Sequence, residues 1–160
     1  MNLKKISVSA VPRALQLAEY YRLLNEPEQA ESVCNDVLSV DGSNQLAIRL
    51  LLLSISDQFG RKNAANMQQA QEVASRLSDG YEKHYYLGVA MERWARSKMH
   101  SQQEASLVVA WIERAMEEFE RAEALRPEAN DAALLRWNTC ARLLEKLPKC
   151  EHAMSADFGD

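Results

Sequence analysis

The segment "FERAEALRPEAND", residues 119–131, sets Phe119, Ala122 and Leu125 at three-residue steps, which in a helix forms one apolar stripe. Pro127 lacks the N–H that a helix interior needs, so it ends that stripe, and a new helical pattern opens at residue 131. The segment is the end of one packed helix and the entry to the next.

Working back toward the N-terminus, Val108, Ile112 and Ala115 extend the same stripe, and Ser101 with Glu104 forms an S-x-x-E capping box ahead of it. A long helix is therefore expected over 102–126. Its remaining positions are charged, with Glu117 and Arg121 one turn apart. Glu113, Glu117, Glu118, Glu120 and Glu123 read as a solvated face, with a basic partner as the sharper alternative. Apolar spacing and punctuation place six further helices near 12–24, 27–39, 44–58, 64–78, 81–99 and 131–146. No strand pattern competes. Pro12 and Pro27 suit first-turn positions, while Gly42, Gly60 and Gly80 follow helical runs where a left-handed cap is expected. Gly88 alone falls inside a helix, which predicts close approach of a neighbouring helix.

With 160 residues, 47% of them apolar, the chain can bury a real core, and one domain over 1–147 with a tail over 148–160 is expected. The formal net charge of −4 supplies no field that would draw nucleic acid or an anionic membrane. The longest apolar run, Leu50 to Leu53, is far too short for a bilayer, which takes roughly 20 residues. Pro12 and Arg13 cut the apolar patch after Lys4 and Lys5 below signal-peptide length, so a cytoplasmic protein is expected. Cys34, Cys140 and Cys150 are odd in number and widely spaced, which suits reduced thiols rather than a disulfide framework. Cys150 and His152 would supply two metal ligands at most, so neither metal nor cofactor is expected.

The opening segment has a second copy: "CNDVLSVDGSNQLA", residues 34–47, aligns with residues 119–132, Cys34 on Phe119, Val37 on Ala122 and Gly42 on Pro127. Repeated helical hairpins must stack, because one hairpin cannot bury its own apolar face. On these residues the chain resembles the tetratricopeptide repeat family, whose unit is about 34 residues. Leu17, Ala18, Tyr21, Ala30, Cys34, Val37 and Gly42 match one unit; Leu87, Gly88, Met91, Ala115, Phe119, Ala122 and Pro127 match another, with a longer gap between Gly88 and Ala115 than the family has. A middle unit over residues 45 to 80 matches through Leu51, Leu52, Ile55, Ala70, Ala74 and Leu77, with a short insertion near "GRKNAAN". The resemblance implies an all-α fold, a right-handed α-solenoid of about three antiparallel hairpins with a C-terminal capping helix.

It further implies a concave groove that binds a partner peptide or helix. The groove positions carried across include Glu19, Arg22 and Leu23, then Arg49, Leu53 and Asp57, then Glu82, Tyr85, Val89, Glu92 and Arg93. Arg22, Arg49 and Arg93 could fork onto carboxylates of a ligand, or pair with neighbours such as Glu19 and Glu92. Leu15 and Glu19 stand where carboxylate-clamp members carry Lys and Asn. Trp94, Trp111 and Trp137 fall on helical stripes and read as core, with an exposed anchor as the alternative. No H-E-x-x-H, phosphate loop, nucleophile elbow or dinucleotide fingerprint is present, and His84, His100 and His152 are scattered. His100 with Glu104 is the one acid–base pairing at helical spacing, weakened because Ser101 as a cap leaves His100 in a loop. The expected function is a non-enzymatic protein-interaction module, self-association included, with a secretion or assembly chaperone as the alternative.

Overall fold

The computed structural model describes residues 2–61, 66–99 and 105–147. It is all-α. After a 3-10 turn at Val8–Ala10 come α1 (Val11–Leu23), α2 (Pro27–Val40), α3 (Gln45–Asp57), α4 (Met67–Ala74), α5 (Gly80–Ser97), α6 (Ala105–Ala124) and α7 (Ala132–Lys146). The Ser101–Glu104 box, His100, Cys150, His152 and the expected tail lie outside the described residues.

Local chemistry accounts for most of the boundaries. Pro12 and Pro27 occupy the first turns of α1 and α2, where their missing N–H is not needed. Asn44, Asn66 and Asp79 cap α3, α4 and α5 by accepting from the backbone N–H of Ala47, Gln69 and Glu82. The expected 64–78 helix is shorter, for two reasons. Asn66 and Gln69 form a reciprocal capping box that starts it late, and tighter bonds from Arg76 to Val73 and from Leu77 to Ala74 unwind its end.

The glycine reading needs correcting. Of Gly42, Gly60 and Gly80, only Gly60 adopts a left-handed backbone; the other such residues among those described are Asn25 and Ala129, at φ 60° and 59°. Gly80 opens α5, and a Cβ there would lie 3.1 Å from a methyl of Leu125. Leu125 itself falls beyond α6 and is largely exposed, so it leaves the stripe it shares in sequence with Phe119.

Each helix packs on the next, and α1, α3, α5 and α7 also touch one another in that order. The paired segments are equivalent in burial: Ala30 and Ala115, Cys34 and Phe119, and Val37 and Ala122 are all fully buried. At Gly88, α5 and α6 pack closely. A Cβ there would lie 2.7 Å from the ring of Phe119, which is itself enclosed. The expected close approach is present.

That geometry makes a specific prediction. Gly88→Ala gains helix propensity of about 1 kcal/mol but overpacks a ring with nowhere to go, at a cost of roughly 1–3 kcal/mol or more. We expect a lower urea midpoint for Gly88→Ala and recovery when Phe119→Leu is added; a midpoint at or above wild type would contradict the close approach.

Candidate functional site

The site is built on the face that α1, α3, α5 and α7 share. Its ionic frame begins with Asp57 at the end of α3, which receives Arg22 Nε of α1 at 2.8 Å and Arg93 Nη1 of α5 at 2.8 Å. One carboxylate thus ties three helices. Arg93 also donates to Ser56 Oγ at 2.6 Å, and burial pulls its pKa below the usual guanidinium value despite Asp57. Two to three turns nearer the N-terminal ends, at about 3.6 residues per turn, Arg49 of α3 meets Glu82 of α5 at 2.7 Å and lies over the ring of Tyr86 at 5.7 Å.

A second shared carboxylate belongs to Glu92, which is 2% exposed. It accepts from Arg96 Nε at 2.9 Å within α5 and from Arg136 Nη1 of α7 at 3.0 Å. Burial opposes the Arg136 charge, yet Glu92 and Tyr85 raise its pKa above the ordinary value.

Two open cavities lie along this face. The first, about 460 Å³, is lined by Glu19, Arg22 and Leu23 of α1, Arg49, Leu50 and Leu53 of α3, and Tyr86 of α5. The second, about 610 Å³, is lined by Tyr81, Glu82, Tyr85 and Tyr86 of α5 with Asp79, Pro127, Asn130 and Ala132. Tyr86 lines both, and the Arg49–Glu82 pair has one member in each. Tyr81 and Tyr85 stack with centroids 5.7 Å apart, and Tyr85 meets Tyr86 edge-on at 5.0 Å. Burial raises the phenol pKa values of Tyr81 and Tyr86.

Among the sequence candidates, Glu19, Arg22, Arg49 and Leu53 come together in one cavity, and Tyr85 lies in the next. Val89 and Glu92 do not belong on an accessible surface: Val89 is 2% exposed and packed in the core, and Glu92 is the buried acid. Arg93 is held by Asp57 and Ser56 rather than presented to the cavity. The expected partners of the arginines are also corrected: Asp57 and Glu82, not Glu19 and Glu92, receive Arg22, Arg93 and Arg49. Tyr86 and Leu50 were missed; "YYLG" put two tyrosines together, and only the rotation of α5 shows which one faces α1 and α3.

Other groups have packing roles. Trp94, Trp111 and Trp137 lie half-buried against the core, Trp94 edge-on to Phe59. Glu118, expected on a wet face, is instead buried: it pairs with His84 Nδ1 of α5 at 2.7 Å and with Arg121. Among the described residues no three His, Cys, Asp or Glu side chains converge as a metal site. No described helix is long and apolar enough to cross a membrane.

Cys34 and Cys140 are buried, and burial pushes both thiols up to about 12. Both therefore stay protonated far above neutral pH. We expect neither to react with iodoacetamide at pH 8 until the protein is unfolded, as read by mass spectrometry. Glu92→Gln removes the charge that two arginines share and should destabilise by about 3 kcal/mol, while Glu19→Gln should stay within about 0.5 kcal/mol in the same urea titration. Equal effects would remove Glu92 from the centre of the ionic frame. Comparison with protein-family models, with curated protein sequences and with solved structures finds no match for this chain.

Proposed function

We propose that this chain is a non-enzymatic interaction module, a right-handed stack of tetratricopeptide-like hairpins closed by α7, that grips a peptide or helix of a partner protein. The observation that carries the reading is the pair of cavities joined at Tyr86, which together run from α1 past α5 to the α6–α7 turn. The packing of alternate helices on one another supports the stacked arrangement.

The lining suggests how such a segment is held. Arg22 and Arg49 are already paired with Asp57 and Glu82, so a ligand carboxylate must compete for them. Apolar contact with Leu23, Leu53 and Tyr86 therefore carries most of the affinity, and Leu23 is 85% exposed and ready for it. Glu19, which has no ion-pair partner among the described residues, selects for a cation beside that apolar anchor.

The chaperone reading has one observation of its own. Leu3, Val8, Tyr20, Leu23 and Leu24, all within the first part of the chain, are exposed apolar side chains that a client or a second copy could cover. Raised solubility of an aggregation-prone client on co-expression would favour it.

The direct test is selection from a random peptide library on the immobilised protein, followed by affinity measurement on wild type and Leu23→Asp. Selected peptides should carry apolar anchors and lose roughly tenfold or more in affinity to the variant, with its melting temperature unchanged, as expected for an exposed anchor position. Failure to select any binder, or selected peptides indifferent to Leu23→Asp, would overturn the assignment.

A further inference from the structure

A third opening lies away from those cavities, between the C-terminal turns of α5 and α7. It measures about 230 Å³ and is lined by Arg96, Thr139, Arg142, Leu143 and Lys146. Three of these five side chains are cations and none is an acid, in a chain whose formal net charge is −4. Thr139, Arg142, Leu143 and Lys146 are spaced at three and four residues, so one face of α7 presents all four.

Charge accounting fixes the sign of the cleft. Glu92 lies behind it and serves both Arg96 and Arg136, so that trio keeps one positive charge. Arg142 and Lys146 form no ion pair among the described residues and add two more. The C-terminal ends of α5 and α7 contribute about half a negative charge each. Glu145, exposed on α7 beside Lys146 and outside the lining, offsets one more, so about one positive charge remains. Holding cations at helix ends explains one basic residue per helix; it does not explain three around a single opening.

We propose that this cleft is an acidic-peptide subsite, taking aspartate or glutamate side chains of a partner segment, with Leu143 receiving an adjacent apolar group. The exposed guanidinium edge of Arg142 offers paired N–H donors to a carboxylate, and Lys146 a mobile point charge beside it. A nucleic-acid strand fits less well. The positive area is short, and the chain as a whole carries a formal net charge of −4, which would repel a continuous polyanion. The proposal rests on the interaction-module reading only in taking the acid from a protein; the chemistry of the cleft is independent of it.

The test is fluorescence anisotropy with a short labelled peptide of glutamates and leucines, titrated at low salt with wild type, Arg142→Glu/Lys146→Glu, the milder Arg142→Gln/Lys146→Gln, the control Arg13→Glu and the groove variant Leu23→Asp. Wild type and Arg13→Glu, which reverses an exposed charge outside every opening, should bind alike, the glutamine variant more weakly, and the glutamate variant roughly tenfold or more weakly, because rim charge reversal replaces attraction with repulsion. Helicity and melting identify any variant that fails to fold, in which case the glutamine variant decides. No binding to wild type, or undiminished binding to the glutamine and glutamate variants, would overturn the cleft. Loss confined to Leu23→Asp would overturn it while leaving the groove reading intact. Equally tight binding of a single-stranded oligonucleotide of the same charge would overturn the assignment to a peptide.

Discussion

The contact between Gly88 and the ring of Phe119 is the constraint on which the placement of everything else depends. Removing the Cβ at one position of α5 lets a buried aromatic of α6 lie directly against the backbone. α5 then has one rotation about its own axis. It sends Val89, Ala90 and Ala95 into the core and leaves Tyr81, Glu82, Tyr85 and Tyr86 along the cavities. Phe119 also reaches Tyr85, with ring centroids 6.1 Å apart, so the same side chain that closes the core supports the wall of the second cavity.

On top of that apolar packing lies an economy of carboxylates. Asp57 and Glu92 each receive two arginines, and in both cases at least one arginine comes from a different helix. Desolvating such groups offsets much of their attraction, so their larger effect is on arrangement: a helix sliding by a turn would leave a buried charge alone. The arrangement also sets the chemistry of the face. Arg22, Arg49 and Arg93 are all held in ion pairs, Arg22 and Arg93 sharing the one charge of Asp57, whereas Arg142 and Lys146 at the far end of α7 form no ion pair among the described residues.

Much of the helical order was legible in the chain because its signals are local. Pro12 and Pro27 at first turns and the period of Val108, Ile112, Ala115 and Phe119 each follow from neighbours a few residues away, and Gly88 stands out inside a helical pattern even though the ring that requires it belongs to another helix. The misreadings share one cause. Gly80 looked like a helix end because it follows a helical run, yet it opens α5, where Leu125 arrives from beyond the end of α6. Glu118 looked solvated among its fellow glutamates, and His84, 34 residues earlier, makes it a buried partner. Val89 and Glu92 were assigned to the groove by counting along a family pattern, and the rotation set by Phe119 turns both inward.

The amino-acid sequence alone determined that the chain is helical, where most of its helices begin and end, and which stripe of each is apolar, since backbone propensity, caps and 3.6-residue periodicity operate within a few turns. Tertiary structure alone decided which carboxylate each arginine meets, which tyrosine faces α1 and α3, and where positive charge stays open. Those outcomes depend on distances between residues about 35 to 45 positions apart, and long side chains reach whichever neighbour the packed helices bring within about 3 Å.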